Sequence, residues 1–196
     1  MTRAKSGVRV LAAILVLAGW VAPAQAQLQG ENLLVSPPAD FKFGYETKRP
    51  GMVMTEMVPK AESVQNWTEM VTTQVFFQQG GVRPDAYLRD MVEKWRTACP
   101  GSVAGPVQSA TTNNYPVATV QLRCPRNPGT GKPETTMFRA MQGAKTLYLV
   151  QYAFRADASA AMSAKAASFL DTVSVCEAGS ARHPCPDLTA RGFRRQ

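Results

Sequence analysis

The pattern of apolar and polar positions is clearest in the segment 134–175. It predicts a strand over 135–141, a turn over 142–145 and a second strand over 146–154. A strand that is apolar on both faces must be covered on both, so residues 146–154 should lie inside the sheet and form the centre of the core. Its two apolar faces carry Leu147, Leu149 and Ala153 on one side and Tyr148, Val150, Tyr152 and Phe154 on the other.

Two segments have helical periodicity. Residues 84–98 begin with Pro84, which suits the first position of a helix, and one face of the segment is apolar. A second helix is predicted over 158–174, with Asp157 as its N-cap. The apolar stripes are Leu88, Met91, Val92, Trp95 and Cys99 in the first helix, and Met162, Ala166, Phe169, Leu170 and Val173 in the second.

The remaining strands are shorter or less regular. Alternation around Phe43 predicts a half-buried strand over 41–45, which forms a hairpin with 52–58. An edge strand is expected over 103–112 and a further strand over 117–124. Residues 66–69 have the pattern of a capped helical turn, and 71–77 are rich in strand-forming residues. The alternative of one continuous helix to Gln79 stays open.

Because the strands cluster in hairpins and do not alternate with helices, the predicted fold class is α+β. We expect a mainly antiparallel sheet of about six or seven strands with the helices 84–98 and 158–174 packed on it. The domain is predicted over 40–186, preceded by a flexible arm over 27–39 and followed by a basic C-terminal tail over 187–196.

The N-terminus has the three parts of a secretory signal peptide. A basic start is followed by an apolar run over 10–21 and by Ala24-Gln25-Ala26, so cleavage is predicted after Ala26. The apolar run is short for a membrane span, although an uncleaved signal anchor remains the alternative. No later segment is long and apolar enough to cross a bilayer. We therefore expect a periplasmic or secreted protein, without a membrane span once residues 1–26 are removed.

The charge of the chain does not indicate nucleic-acid binding. The formal net charge is +8, from 22 basic and 14 acidic residues, and part of the excess lies in the signal peptide and the C-terminal tail. The remaining Lys and Arg residues are scattered, whereas a nucleic-acid-binding domain concentrates them on one face. No nucleic-acid partner is expected.

The four cysteines predict two disulfides, since exported chains with an even number of cysteines usually pair them. Three pairings are possible. We favour Cys99–Cys124 and Cys176–Cys185 because each pair closes a local unit. The chain has no C-x-x-C motif and His183 is its only histidine, so neither a metal site nor a cofactor is predicted.

The loop after Cys124 is rich in proline and glycine. Its Gly131-Lys132 pair is similar to part of a phosphate-binding loop, but the full motif is not present. Arg123, Arg126 and Lys132 are candidates for binding a small anion. A structured connector with incidental charges is the more common outcome for such a loop.

Three blocks of sequence carry a resemblance to a known family, namely 66–72, 95–100, and 124–125 with 130–134 and 150–155. They resemble a family of small exported proteobacterial proteins of unknown function, over nearly all of the mature chain. That resemblance implies a periplasmic or secreted location and does not indicate any particular activity. The order of elements is also similar to the PsbP/Mog1-like α/β/α sandwich proteins, which implies a non-enzymatic accessory or adaptor role.

Three functions fit these patterns. The first is that of a non-catalytic binding, adaptor or accessory protein of the cell envelope. Its partner would be an envelope protein or a small ligand. The second is a small-ligand carrier with a pocket lined by aromatic residues. The third is a carboxylate-based hydrolase of envelope polymers, since glycosidase chemistry needs only two carboxyl groups. A serine or cysteine nucleophile is disfavoured because His183 lies within a predicted disulfide loop. The candidates are Trp67, Tyr115, Tyr148 and Tyr152 for the pocket, and Glu56, Glu62, Glu69, Asp90, Glu93 and Glu134 for catalysis.

Overall fold

The structure is a computed structural model, and it describes residues 30–186. The predicted signal peptide, the first residues of the predicted arm and the predicted basic tail lie outside the described residues. Within residues 30–186, the chain contains no helix with the length and apolar character needed to span a bilayer.

The protein has the predicted α+β fold, with eight strands in its main sheet and a separate two-stranded sheet. All neighbouring strands run antiparallel, and the main sheet has the order β2-β3-β4-β9-β8-β7-β5, with β6 also paired to β7. The elements are β1 Glu31–Leu34, β2 Phe41–Arg49, β3 Met52–Pro59, β4 Glu69–Phe77, α1 Pro84–Ala98, β5 Val103–Ala104, β6 Gln108–Thr112, β7 Tyr115–Cys124, β8 Glu134–Gln142, β9 Thr146–Phe154, α2 Ala160–Asp171 and β10 Ser174–Glu177.

The central position predicted for residues 146–154 is confirmed. β9 lies between β4 and β8, and the two helices cover opposite faces of the sheet around it. On one face Tyr148 and Val150 pack in a cluster with Leu170 of α2. On the other face Leu149 packs in a cluster with Leu88 of α1. The domain therefore has three layers, helix on sheet on helix.

The edge strand predicted over 103–112 is divided into β5 and β6, which brings the main sheet to eight strands instead of six or seven. The division falls at Gly105-Pro106. Proline has no backbone N–H to donate to a neighbouring strand. The segment therefore stops pairing with β7 at this point and resumes pairing at Gln108. The 41–45 strand exists but extends to Arg49, and its Phe43 and Tyr45 are exposed instead of half-buried.

The segment 66–79 contains no helix. β4 begins at Glu69 and pairs with β3 on one side and β9 on the other, so the strand prediction is confirmed. The predicted helical turn at 66–69 and the continuous-helix alternative are both wrong. Asn66 closes a turn with Ser63 instead, and the Glu69 carboxylate bonds to side chains of other elements. Hydrogen bonding of β4 to a strand on each side stabilises the extended conformation more than the local capping pattern stabilises a helical turn.

Residues 31–34 were predicted to be part of a flexible arm, and this is wrong. They form β1, which pairs with β10 over Glu31↔Glu177 to Leu34↔Ser174. This pairing also ends the second helix at Asp171, three residues before its predicted end, because residues 174–177 form a strand. At the other end of that helix, Ser159 is the N-cap and Asp157 pairs with Arg123.

Both predicted disulfides are present. Cys99–Cys124 joins the C-terminal end of α1 to the last residue of β7, and Cys176–Cys185 closes a loop after β10. The second loop is held against the β6–β7 turn. The Asn113 side-chain amide donates to the carbonyl oxygens of Val175 at 2.9 Å and Pro184 at 3.1 Å. Both asparagines of that turn, Asn113 and Asn114, have positive φ angles, as a tight hairpin requires.

Candidate functional site

An open groove of about 1060 Å³ lies at one end of the domain. It is bounded by β1, the C-terminal end of α2, the β6–β7 turn and the Cys176–Cys185 loop. Leu33, Leu34, Val35 and Phe169 form much of its apolar lining, and Thr112 and Asp171 are among its polar residues. One wall of the groove is thus formed by β1, whose pairing with β10 the sequence did not reveal.

A buried arginine lies beside this groove. Arg139 of β8 is 5% exposed, and its Nη2 donates to Thr112 Oγ1 at 2.7 Å. Its Nη1 lies 3.4 Å from Asp171 Oδ1, and the Asp171 side chain is 77% exposed. Thr112 and Asp171 both line the groove. Among the described residues, the Nε of Arg139 has no hydrogen-bond partner.

The electrostatics of Arg139 favour an additional anion. Burial lowers the pKa of its guanidinium, and the Asp171 carboxylate opposes this shift. A guanidinium nevertheless stays protonated in proteins, so a charge with five N–H donors is held out of water. Its ion pair to Asp171 is long and solvated, and such pairs contribute little. Arg139 itself does not line the groove, whereas its hydrogen-bond partners Thr112 and Asp171 do.

Most of the candidate carboxylates bond to partners other than one another. Glu69 accepts hydrogen bonds from Tyr152 Oη at 2.5 Å and Lys165 Nζ at 2.6 Å. Glu62 accepts from the backbone N–H and the hydroxyl of Thr68 at 2.6 and 2.7 Å. On the charged face of α1, Asp90 pairs with Lys94 and Glu93 pairs with Arg96. Glu56 lies on β3, where burial raises its pKa.

Glu134 is the most buried of these carboxylates. Its residue is 6% exposed, and Asn127 Nδ2 donates to Glu134 Oε2 at 2.6 Å. Burial raises the pKa of Glu134, partly opposed by the Asn127 hydrogen bond and the positive charge of Arg155. The Arg155 guanidinium lies over the ring of Trp67 at 4.2 Å. A raised pKa suits a general acid, but the groups that act on Glu134 are an amide and a guanidinium and not the second carboxyl group that glycosidase chemistry needs.

Stability should therefore depend on the Glu134 proton. Because the pKa of Glu134 is higher in the folded state, its contribution to stability is present below the unfolded pKa and is lost as pH rises through the folded pKa. We expect Glu134→Gln, which keeps an oxygen for Asn127, to unfold at higher urea than the parent at neutral pH. The difference between the two should shrink as pH falls to about 4.

Urea unfolding measured across this pH range tests the prediction. Glu93→Gln removes an exposed carboxylate on α1 and serves as the matched control, since it should follow the parent curve. A constant offset between Glu134→Gln and the parent at every pH would contradict a raised pKa for Glu134.

The four aromatic residues predicted to line a pocket are core residues instead. Trp67, Tyr115, Tyr148 and Tyr152 are all buried, and none of them lines the groove. Tyr115 stacks on His183 with 4.0 Å between ring centroids, and the His183 Nδ1 lies 2.9 Å from the carbonyl oxygen of Asn113. His183, the only histidine of the sequence, thus helps to hold the Cys176–Cys185 loop against the β6–β7 turn.

The predicted anion-binding residues are placed differently from one another. Arg123 forms a two-pronged ion pair with Asp157, which raises the pKa of Arg123. Arg126 and Lys132 are exposed on the loop between β7 and β8. Anion binding by these three side chains stays a prediction. Arg139 was missed because it follows Phe138 in a strand with no marked polar face, and only the packing of α2 and β6 shows that its side chain is buried.

Comparison with known proteins adds a distant likeness to a solved structure. No protein-family model matches the chain, and a search of the curated proteins found no match. Among solved structures, the chain is similar to LpqN of Mycobacterium tuberculosis, described as involved in cell envelope biogenesis. The identity is 12%, the TM-score is 0.41, and the match covers 78% of this chain and 87% of LpqN. A likeness at this level carries no argument about function.

Proposed function

We propose that this protein is an exported, non-catalytic binding module of the cell envelope that holds a carboxylate-bearing partner in the groove beside Arg139. Export is supported by the signal-peptide pattern in residues 1–26 and by two disulfides, which persist in oxidising compartments. The mature chain would then begin at Gln27 and act in the periplasm or outside the cell.

The observation that carries the proposal is the buried, under-partnered guanidinium of Arg139. Ligand sites are concave and largely apolar, with a few polar groups that orient the ligand. The groove has this composition, with Leu33, Val35 and Phe169 available for apolar contact and with Asp171, the partner of Arg139, on its lining. The incoming carboxylate would replace Asp171, whose exposed side chain can turn to solvent.

The positions of the candidate residues bear on the two alternative functions, the small-ligand carrier and the carboxylate hydrolase. An aromatic-lined pocket is not supported, since the four aromatic side chains are in the core. A carboxylate hydrolase is not supported by the candidate carboxylates, which bond to separate partners. An open groove suits an extended segment of an envelope protein or an amphiphilic small molecule, and both offer carboxylates.

Arg139→Met should weaken binding without harming the fold. Methionine keeps the length of the buried side chain, and replacing a buried charge by an apolar group is often neutral or stabilising. Hydrogen bonds to charged groups contribute about 1.5–3 kcal/mol, so retention of the partner should fall about tenfold or more. The measurement is capture from envelope extract by the immobilised mature protein, with mass spectrometry of the retained proteins and small molecules.

Arg89→Met is the matched control, because it removes one arginine from the exposed side of α1. A molecule retained by the parent and by Arg89→Met but lost by Arg139→Met supports the proposal. Equal retention by all three proteins would show that binding occurs elsewhere. No specific retention by the parent would contradict a binding role in this compartment.

A further inference from the structure

The main sheet ends in an open edge. β2 is the first strand in the sheet order, with β3 on one side and no strand on the other among residues 30–186. Phe43 is 71% exposed and Tyr45 is 47% exposed on this strand. An edge strand presents unpaired backbone N–H and C=O groups, which can add a further strand from another chain.

The regular part of this edge is residues 45–49. A bulge interrupts the β2–β3 register between Phe43 and Tyr45, while pairing continues without interruption from Tyr45↔Glu56 to Arg49↔Met52. Bulges end or redirect pairing. An added strand would therefore pair with Tyr45-Glu46-Thr47-Lys48-Arg49.

The side chains of this pentapeptide are complementary to themselves. In an antiparallel pair of identical strands, a two-fold axis passes through one residue that faces its own copy. An axis at Thr47 places Glu46 opposite Lys48 of the other copy, twice, and Tyr45 opposite Arg49, twice. An axis at Glu46 or at Lys48 would instead place two like charges face to face, which is destabilising.

The two faces of the sheet agree with this register. Glu46 and Lys48 lie on one face of β2, where their side chains already form an exposed ion pair at 3.0 Å within one chain. Tyr45, Thr47 and Arg49 alternate with them on the other face. Pairing about Thr47 would thus create a ring of four alternating charges on one face. On the other face it would stack each tyrosine with an arginine of the second copy.

We propose that two copies of this chain pair through residues 45–49 of β2 about a two-fold axis at Thr47, which joins their main sheets into one. The interface is short and its charges are exposed, so the dimer is reversible and weakens as salt rises. It does not involve the groove, so Arg139→Met leaves it unchanged. The competing explanation is that the bulge and Lys48 keep this edge from pairing, as such features do in other sheets.

Charge reversal at two positions separates these explanations. Glu46→Lys alone makes both facing pairs lysine against lysine, and Lys48→Glu alone makes both glutamate against glutamate, so each variant should be monomeric. An equimolar mixture of the two restores both ion pairs and should form a heterodimer. The double variant Glu46→Lys/Lys48→Glu should dimerise like the parent. Sedimentation velocity over a range of protein and salt concentrations gives the mass of each sample, and circular dichroism verifies that each variant is folded.

Thr47→Cys provides an independent measurement. In the proposed register the two Cβ atoms of residue 47 lie about 4.5–5.5 Å apart, so mild oxidation should link the chains within the dimer. Lys42→Cys is the control, because residue 42 and its copy would be about 30 Å or more apart. Peptide mapping distinguishes the new link from reshuffled native disulfides.

A parent that is monomeric at every concentration, or charge variants that dimerise like the parent, would overturn the proposal. A monomer that takes up an extended peptide of another protein along β2 would overturn it as well, since the edge would then serve a different partner. The proposal is supported only if the mixture of charge variants restores the dimer and Thr47→Cys cross-links where Lys42→Cys does not.

Discussion

A mature chain with Cys99→Ala and Cys124→Ala should lose roughly 3 kcal/mol of unfolding free energy. The disulfide closes a loop with a sequence separation of 25 residues and ties the end of α1 to β7. Without it, α1 is held mainly by the apolar cluster around Leu88 and Val92, and the unfolded chain gains conformational freedom. Urea unfolding followed by circular dichroism measures the loss, and hydrogen exchange should show α1 losing protection first.

Removal of the other disulfide is the matched comparison. Cys176→Ala with Cys185→Ala opens a loop with a sequence separation of only 9 residues. Chain entropy predicts a smaller loss for this loop, and side-chain amides of Asn113 and Asn114 still hold it. An equal or larger loss from the second pair would show that chain entropy does not govern the contribution of the disulfides.

Gly80→Ala should be the most damaging single substitution in a loop, with a loss of about 2–3 kcal/mol. A methyl group on Gly80 would lie 2.7 Å from the Cα of Lys145 and closer still to the carbonyl of Ala144. Both neighbours are backbone atoms of the turn between β8 and β9. That turn is fixed by the Gly143 N–H, which donates to the Thr146 carbonyl at 2.8 Å, so it has little room to move.

Gly81→Ala provides the control at the next position, since a methyl group there would have no neighbour within 4 Å. It should change stability by no more than about 0.5 kcal/mol. Thermal and urea unfolding of both variants make the comparison. Similar stability of the two variants would mean that the β8–β9 turn can shift away from residue 80.

Predictions from the sequence succeeded where the relevant signal was local. The stripe of α1, the hairpin of β2 and β3, and the β8–β9 pair with its two apolar faces follow from side-chain period and turn residues. The favoured cysteine pairing also followed from short spacings. The sequence did not predict the length of β2 or the exposure of Phe43. Alternation indicates a strand without showing which of its faces is covered.

The candidate site could not be predicted from side-chain periodicity or local spacing. The groove needs residues 31–34 to pair with residues 174–177, and nothing in either short segment specifies that distant partner. The same pairing decided where α2 ends. Arg139 likewise has the composition of a surface residue, and its burial follows from α2 and β6 closing over β8.

By itself the sequence determined the fold class, the central strand and the first helix, and it favoured the correct disulfide pairing among three, because each depends on periodicity or spacing along the chain. The tertiary structure alone decided the β1–β10 pairing, the groove beside Arg139, the partners of the candidate carboxylates and the open edge at β2. These features depend on contacts between residues far apart in the sequence, where the partner of a side chain is set by the packing of whole elements and not by its neighbours in the chain.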